Sequence, residues 1–412
     1  MIYKKRLLER KILFAAQHFK AVLIVGARQV GKSTVLKNLF PHLPIVTFNP
    51  IQDIQRARTE PELFLSSFNG PVILDEIQFA PELLAHIKIK IDQSDEKGQY
   101  FLTGSQNLSM LKSVAESMAG RVAIIELSPM TLYELHGIDS RHWIEQYLEN
   151  PSTLLKGRTN LIPNTNIPEA IWRGGFPGLI GMPNEGFETY FDGYLKTYID
   201  RDIRTMGNID QLVKFEHFLG ILAALSSQEI NYNELGREID SAGKTAQRWL
   251  NLLYGSYMWR DARPFIGNTI KRVSQRDKGY LIDSGFACQL LHIKAPNQLL
   301  SYPSAGALFE TYISNMICAT LASLPFGTAV YHWRSAGGAE VDIILQQGNA
   351  LYPIEVKMKS NVGKYEARGI KAFKETYKDS KLKVMTGIIV YAGTDCYWAD
   401  HDILAVPWNM VL

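Results

Sequence analysis

The residues with the plainest chemistry are Gly26, Ala27, Arg28, Gln29, Val30, Gly31, Lys32 and Ser33, followed by Thr34. They fit the spacing GxxxxGK[ST], with an apolar strand leading in and a helical pattern leading out. Gly26 and Gly31 let the backbone turn tightly, so that its N–H groups converge on phosphate oxygens. The helix that follows adds its positive end. Lys32 neutralises the β- and γ-phosphates and the Ser33 hydroxyl ligates Mg²⁺, so the segment predicts ATP and Mg²⁺ as its ligands.

Val72-Ile73-Leu74-Asp75-Glu76 supplies the second half of that site. An apolar strand ending in two carboxylates is costly unless both find partners. Asp75 suits Mg²⁺, directly or through water, and Glu76 suits polarising the attacking water. Phe101–Gln106 is a third strand ending in small polar groups, and either Thr103 or Ser105 is placed to sense the γ-phosphate. Arg121 is either an arginine finger or sensor, or a solvated residue at a strand edge; a finger acting in trans requires an oligomer.

A second constellation lies at 340–357. With a two-residue hairpin loop at Gly348-Asn349, Val341 faces Val356, Ile343 faces Ile354 and Leu345 faces Tyr352, an entirely apolar face. The other face sets Asp342 across from Glu355 and Glu340 across from Lys357. Carboxylates at cross-strand distance repel, so this pair calls for a cation, and a divalent metal held by Asp342 and Glu355 is the natural one. Lys357 points to the same side and would orient the attacking water or stabilise a pentacovalent phosphate. The competing view is a solvated strand face with a Glu340–Lys357 pair. Residues 353–383 carry nine Lys/Arg against four acids. Lys364, Arg368, Lys371, Lys374 and Lys378 recur at helical spacing there, either as a face for phosphate backbones or as a plain solvated face.

The elements that must position these groups follow from periodicity. Residues 21–127 alternate strand-length apolar runs (Ala21–Val25, Ile45–Phe48, Pro71–Asp75, Tyr100–Thr103, Val122–Leu127) with helical patterns, which predicts βαβ units and a mostly parallel sheet. Residues 150–186 mix Pro151, Pro163, Pro168, Pro177 and Pro183 with Gly and Asn, and read as a linker with little regular structure. In the helical stretch after 187, Phe215, Phe218, Leu219, Leu222 and Leu225 share a face. Asn231–Ile239 is a second helix. A third is capped by Ser241, with Leu250, Leu253 and Tyr254 inward and Lys244, Thr245, Gln247 and Arg248 outward. That is a helix-turn-helix pattern with 257–283 as a wing. Lys244 and Arg248 either contact DNA or decorate a docking module. Asp200, Arg201, Asp202 and Arg204 form a salt-bridged surface, with Arg201 as an alternative nucleotide sensor. The units are 1–149, a linker at 150–186, 187–300 and 301–412.

The totals exclude several classes. Net charge is +3 from 44 basic and 41 acidic residues, which favours neither nucleic acid nor its absence. Cys288, Cys318 and Cys396 are too scattered for a disulfide framework or zinc-ligand spacing. The N-terminus lacks the apolar core of a signal peptide. The uncharged run Thr311–Trp333 holds Ser314, Asn315, Pro325 and Gly327, so a buried helix plus loop explains it better than a membrane span. A soluble, cytoplasmic protein with no membrane partner is expected.

Taken together, Gly26–Thr34, Leu74-Asp75-Glu76, Leu102–Ser105 and Gly120-Arg121-Val122 resemble the AAA-type ATPases of bacteria and archaea. More narrowly, the chain resembles the group joined to a C-terminal domain of unknown function with a restriction-endonuclease-like fold. Arg173-Gly174-Gly175-Phe176-Pro177, Tyr198–Asp202, Tyr280–Gly285 and Glu355-Val356-Lys357 carry that narrower likeness. It implies an α/β fold class: a three-layer P-loop domain, a winged-helix middle, and a small α/β domain similar to PD-(D/E)XK nucleases. It also implies Glu310 as an optional extra metal ligand, against the bland reading of an exposed helix residue. Trp259-Arg260-Asp261-Ala262-Arg263 departs from the apolar stretch expected before the wing's proline. Two functions follow as expectations. One is an ATPase that acts on DNA or RNA through a metal-dependent nuclease-like end. The other is an ATP-driven switch or scaffold that binds a protein partner through the winged helix, with an inactive C-terminal domain.

Overall fold

The computed structural model describes residues 3–48, 51–105, 118, 120–138, 143–155, 160–199, 203, 211–267 and 276–411. Gln106, Asp200, Arg201, Asp202, Arg204 and residues 268–275 lie outside the described residues.

Apolar runs build the first sheet from β1 (Ala21–Val25), β2 (Ile45–Thr47), β3 (Val72–Asp75), β4 (Tyr100–Gly104) and β5 (Val122–Glu126). Their order is β2-β3-β4-β1-β5 and every pairing is parallel. Each residue of β1, β3 and β4 is buried. A parallel sheet covered on both faces needs such continuous apolar strands, because crossover helices lie on each side. All five strands point the same way, so the turn after β1 and the carboxylates after β3 emerge at one edge, where open α/β sheets place ligands.

The expected linker is corrected by the structure. Residues 167–173 form a helix that buries Ile171 and Trp172, and β6 (Asn160–Leu161) forms a short sheet with the last strand of the chain. Pro151, Pro168 and Pro177 begin elements rather than break them. Pro168 lies in the first turn of that helix, behind Asn166, whose side chain accepts the Glu169 N–H at 2.8 Å. Pro177 opens a 3₁₀ turn. A missing N–H costs nothing in a first turn, so proline density does not measure disorder there.

In the middle segment the helix Leu212–Ala224 buries Phe215, Phe218, Leu219 and Leu222, while Leu225 falls just beyond its end. The helices Tyr232–Glu238 and Gly243–Gly255 follow. Ser241 does not cap the third helix: Ala242 holds that position, without a side-chain hydrogen bond. Lys244, Gln247 and Arg248 are exposed, and Leu250 and Leu253 are buried. The strands β7 (Gln228–Glu229), β8 (Trp259–Pro264) and β9 (Lys278–Leu281) pair antiparallel in the order β7-β9-β8. The unexpected Trp259 is accommodated by Gly279: a Cβ there would collide with the indole.

This hairpin does not stand alone. The strand β8 runs parallel to β10 (Ala329–Arg334), so these three strands extend the C-terminal sheet. That sheet continues through β11 (Glu340–Gln347), β12 (Ala350–Lys357), β13 (Lys383–Val384), β14 (Gly387–Tyr391), β15 (Tyr397–Asp400) and β16 (Ile403–Pro407). Finally, β17 (Met410–Val411) returns to pair with β6. The β11–β12 register matches the hydrophobic pattern, with Ile343 opposite Ile354 and Leu345 opposite Tyr352. Val341 departs from it. The β10–β11 ladder slips between Tyr331 and Trp333, and Val341 joins the core under the helix Arg368–Tyr377, with Ile344, Ile370 and Phe373. Ile343, Leu345, Ile354 and Val356 pack on the other side with the helix Ala305–Ser323. Both faces are therefore covered: Asp342 and Glu355 are buried, while Glu340 and Lys357 are half-buried. Among the described residues no helix is long and apolar enough to cross a membrane.

Candidate nucleotide site and C-terminal carboxylate centre

The turn after β1 takes the conformation its glycines permit. Gly26 has φ 143° and Gly31 φ 95°. A Cβ on Gly26 would strike the Leu127 carbonyl, so the loop lies flush against the end of β5. Gln29 is also left-handed, with φ 61°, in a non-glycine residue where that geometry costs energy. Lys32 is buried and donates to the carbonyls of Gly26 (3.1 Å) and Ala27 (2.8 Å), folded back over its own loop. Val30 is buried, Arg28 half-buried and Thr34 exposed.

Asp75 joins three strands. Ser33 Oγ and Thr103 Oγ1 both donate to Oδ1, the latter at 2.6 Å, and Thr47 Oγ1 donates to Oδ2 at 3.3 Å. Glu76 turns into the left-handed region at φ 60°, and its N–H donates to Thr103 Oγ1 at 3.0 Å. Its Oε2 accepts from Gln78 Nε2 and from Ser105 Oγ at 3.2 Å. Lys32, Ser33, Asp75, Glu76, Thr103 and Ser105 are thus gathered at one edge of the sheet. Thr103 is tied to the Asp75 carboxylate and to the backbone N–H of Glu76, whereas Ser105 reaches the Glu76 carboxylate.

Arg121 does not join them. It precedes β5, level with Lys20 and Ala21, whose N–H groups donate to its carbonyl. Five residues of strand separate that end from the loop, roughly 16 Å at about 3.3 Å per residue. Its side chain instead pairs with Asp92 at 2.5 Å, on the surface. The expected role of Arg121 as a sensor in its own nucleotide site is therefore corrected to a strand-edge ion pair.

Two loop supports carried no motif. Arg6, 5% exposed, donates Nη1 to the Val30 carbonyl (2.7 Å), Nη2 to the Ser128 carbonyl (2.7 Å) and Nε to Glu134 Oε1 (3.0 Å). Glu134 is the third helical residue of a capping box with Thr131. Tyr190 on the helix Glu185–Tyr198 donates its hydroxyl to Gln29 Oε1 at 2.6 Å, and Pro177 packs near Gly31. The middle segment therefore touches the loop directly. A buried junction lies behind it: Asp283 accepts the N–H groups of Gly175 (2.7 Å) and Phe286 (2.8 Å). Burial pushes its carboxyl up to about 6, against the backbone N–H groups that lower it. A cavity of 240 Å³ beside this junction is lined by residues of all three units, including Met130, Gly175, Arg260, Asp283 and Met316.

The C-terminal carboxylates meet cations already belonging to the protein. Asp342 lies at the slipped register and accepts the Val356 N–H on Oδ2 at 2.8 Å, which ends the β11–β12 ladder. Lys278 of β9, 3% exposed, reaches Glu310 Oε1 at 2.7 Å, Glu340 Oε1 at 3.0 Å and Asp342 Oδ1 at 3.2 Å. Glu355 Oε1 pairs with Lys357 at 2.5 Å, and Lys357 lies 3.9 Å from Asp342 Oδ2. Glu355 Oε2 is buried with no hydrogen-bond partner. Burial raises Glu355 well above the usual carboxylate range, with Asp342 adding to it. Burial also pushes Glu310 up to about 7, helped by Asp342. Burial would raise Asp342 too, but Lys278 and Lys357 hold it below its ordinary value.

Two expectations change here. Among the described residues no group of three or more His, Cys, Asp or Glu side chains is arranged to hold a metal ion, so Glu310 does not join Asp342 and Glu355 as the optional extra ligand. The missed residue is Lys278. Nothing near it in the chain marks it, because its partners are 30 or more positions away. The expected basic helix face is also largely spent within the molecule: Lys371 pairs with Asp400, Lys374 with Asp402 and Lys378 with Glu375, while Arg368 stacks on Tyr365.

Known proteins bear on the first unit. Residues 18–136 match the family model described as AAA domain. Residues 164–297 match a domain of unknown function, DUF8612, and residues 305–411 match another, DUF4143. "Uncharacterized protein Rv2008c" of Mycobacterium tuberculosis is 26% identical over 415 residues, covering 100% of this chain and 85% of that protein. "Uncharacterized protein Mb2031c" of Mycobacterium bovis matches to the same extent. Among solved structures, the Walker-type ATPase PABY2304 of Pyrococcus abyssi is 17% identical, covering 70% of this chain and 96% of that one at a TM-score of 0.40. A RuvB variant of Thermotoga maritima is 16% identical, covering 61% and 88%, at 0.30. The AAA match coincides with the phosphate loop and its acidic strand, and residues 18–136 form a P-loop AAA-type ATPase domain.

Proposed function

We propose that the chain binds ATP with Mg²⁺ in the loop Gly26–Thr34 and hydrolyses it. The observation that carries this is Asp75 joined to Ser33 and Thr103 beside Lys32. A hydroxyl and a buried carboxylate already in contact are two oxygen donors of the kind Mg²⁺ takes, with water and phosphate completing its shell. The ion would neutralise charge on the phosphates. Lys32 exchanges the carbonyls of Gly26 and Ala27 for phosphate oxygens. Glu76, held by Gln78 and Ser105, orients the attacking water and accepts its proton. Calorimetry with Mg·ATP and phosphate release in wild type and Lys32→Ala test the reading. Equal affinity in the two proteins would rule it out.

The C-terminal unit supports a second activity, metal-dependent cleavage of DNA or RNA. The buried, unpartnered Glu355 Oε2 supports it, as does Lys357 on the adjoining oxygen. Asp342 and Glu355 would hold the ion, whose chemistry is to polarise the phosphodiester and its attacking water. Glu310 would join them only if Lys278 moved. The rival reading, an ATP-driven switch that binds a protein partner through its middle segment, is supported by Lys278 filling the acidic centre. Cleavage of varied DNA and RNA substrates, with and without ATP, beside an Asp342→Ala/Glu355→Ala variant separates the two.

A further inference from the structure

We infer that Lys278 is the resident cation of the C-terminal carboxylate centre, and that a divalent ion binds there only when its ammonium withdraws. The inference rests on the metal-dependent reading of that centre. An ammonium is a compact charge with three N–H donors. In Lys278 the three oxygens Glu310 Oε1, Glu340 Oε1 and Asp342 Oδ1 lie at 2.7, 3.0 and 3.2 Å, one for each donor. The lysine therefore saturates itself on oxygens that a hard cation would otherwise take.

The arrangement remains short of positive charge. Glu310, Glu340, Asp342 and Glu355 face Lys278 and Lys357, so full ionisation leaves two negative charges uncompensated. Glu355 Oε2 is the independent sign of a missing partner. Glu355 is 6% exposed, and this oxygen has no hydrogen-bond donor, although buried carboxylate oxygens are almost always satisfied.

The origin of the lysine makes the arrangement a coupling. Lys278 belongs to β9, which pairs with β7 and β8 of the middle segment, whereas every acid it touches lies at 310–342. The middle segment also contacts the phosphate loop through Tyr190 and Gln29. The cation that closes the acidic centre is therefore carried by the segment that also touches the nucleotide loop.

The test is Mn²⁺ binding to the full-length, nucleotide-free protein, read by electron paramagnetic resonance and by the shift in melting temperature. Lys278→Met should gain one Mn²⁺ site, at least about tenfold tighter than any wild-type site sensitive to Glu355. Lys278→Arg should behave as wild type, and Lys278→Met/Glu355→Gln should lose the gained site. If wild type and Lys278→Met bind the same Glu355-dependent ion equally, the inference is overturned while the metal-dependent reading stands. If neither binds such an ion, both fall. Lys278→Gln, which can still hydrogen-bond the acids, serves if the methionine variant does not fold. Failure of both to fold would make the lysine purely structural and overturn the inference.

Discussion

Arg6 donates its Nη1 to the carbonyl of Val30, so a residue near the N-terminus holds the crown of the phosphate loop at 2.7 Å. The same guanidinium neutralises Glu134 in a setting where both side chains are almost wholly buried. Arg6→Met strands a buried carboxylate and leaves Val30 without its donor. Removing one partner of a buried pair costs about 3–5 kcal/mol. The melting temperature should fall sharply, and Arg6→Met/Glu134→Leu should recover part of the loss. An unchanged melting temperature in the single variant would show that the pair does not support the loop.

Glu76 is held by Gln78 and Ser105, on a backbone at φ 60°. If it handles the attacking water, Glu76→Gln keeps the shape of the side chain but removes the base. Mg·ATP affinity should stay near wild type while turnover falls by about 10²–10⁴. Binding by calorimetry and single-turnover phosphate release report the two quantities separately. Parallel loss of both would assign Glu76 to folding or binding instead.

Asp283 gives a pH signature with a definite sign. Its carboxyl rises from 3.8 when exposed to about 6 in the fold, chiefly through burial. The fold therefore favours the protonated form, and that contribution is complete below the unfolded value and lost as pH rises through the folded one. Relative to Asp283→Asn, which cannot titrate, wild type should gain stability between pH 7 and pH 5. A difference in unfolding free energy that is flat across this window would contradict the assignment.

Lys371 and Lys374 pair with Asp400 and Asp402 rather than standing free for phosphate. Exposed and half-exposed pairs contribute about 0–1 kcal/mol each. Lys371→Ala/Lys374→Ala should lower stability slightly and leave the salt dependence of any nucleic-acid binding unchanged. A shallower salt slope, by about one unit per lysine, would place phosphates on this helix after all.

The phosphate loop, the parallel strands around it and the β11–β12 hairpin were readable because each depends on neighbours close in the chain. Gly26, Gly31 and Lys32 act within one turn, and Ile343 faces Ile354 because the alternation of the pleat leaves no other buried face. The segment 150–186 misled for a related reason: proline marks a boundary without saying whether an element stops or starts there. Val341 strayed from its expected face because a slipped ladder leaves no trace in alternation.

The sequence by itself determined the glycine loop after β1 and which acids would be driven together on a sheet. Their types and spacing settle those outcomes locally. Only the tertiary structure decided that Arg121 sits at the far end of β5 from the loop, that Arg6 and Tyr190 hold the loop, and that Lys278 fills the acidic centre. A buried charge must find its partner wherever the chain happens to cross, and such a partner is set by the path of the fold rather than by distance along the sequence.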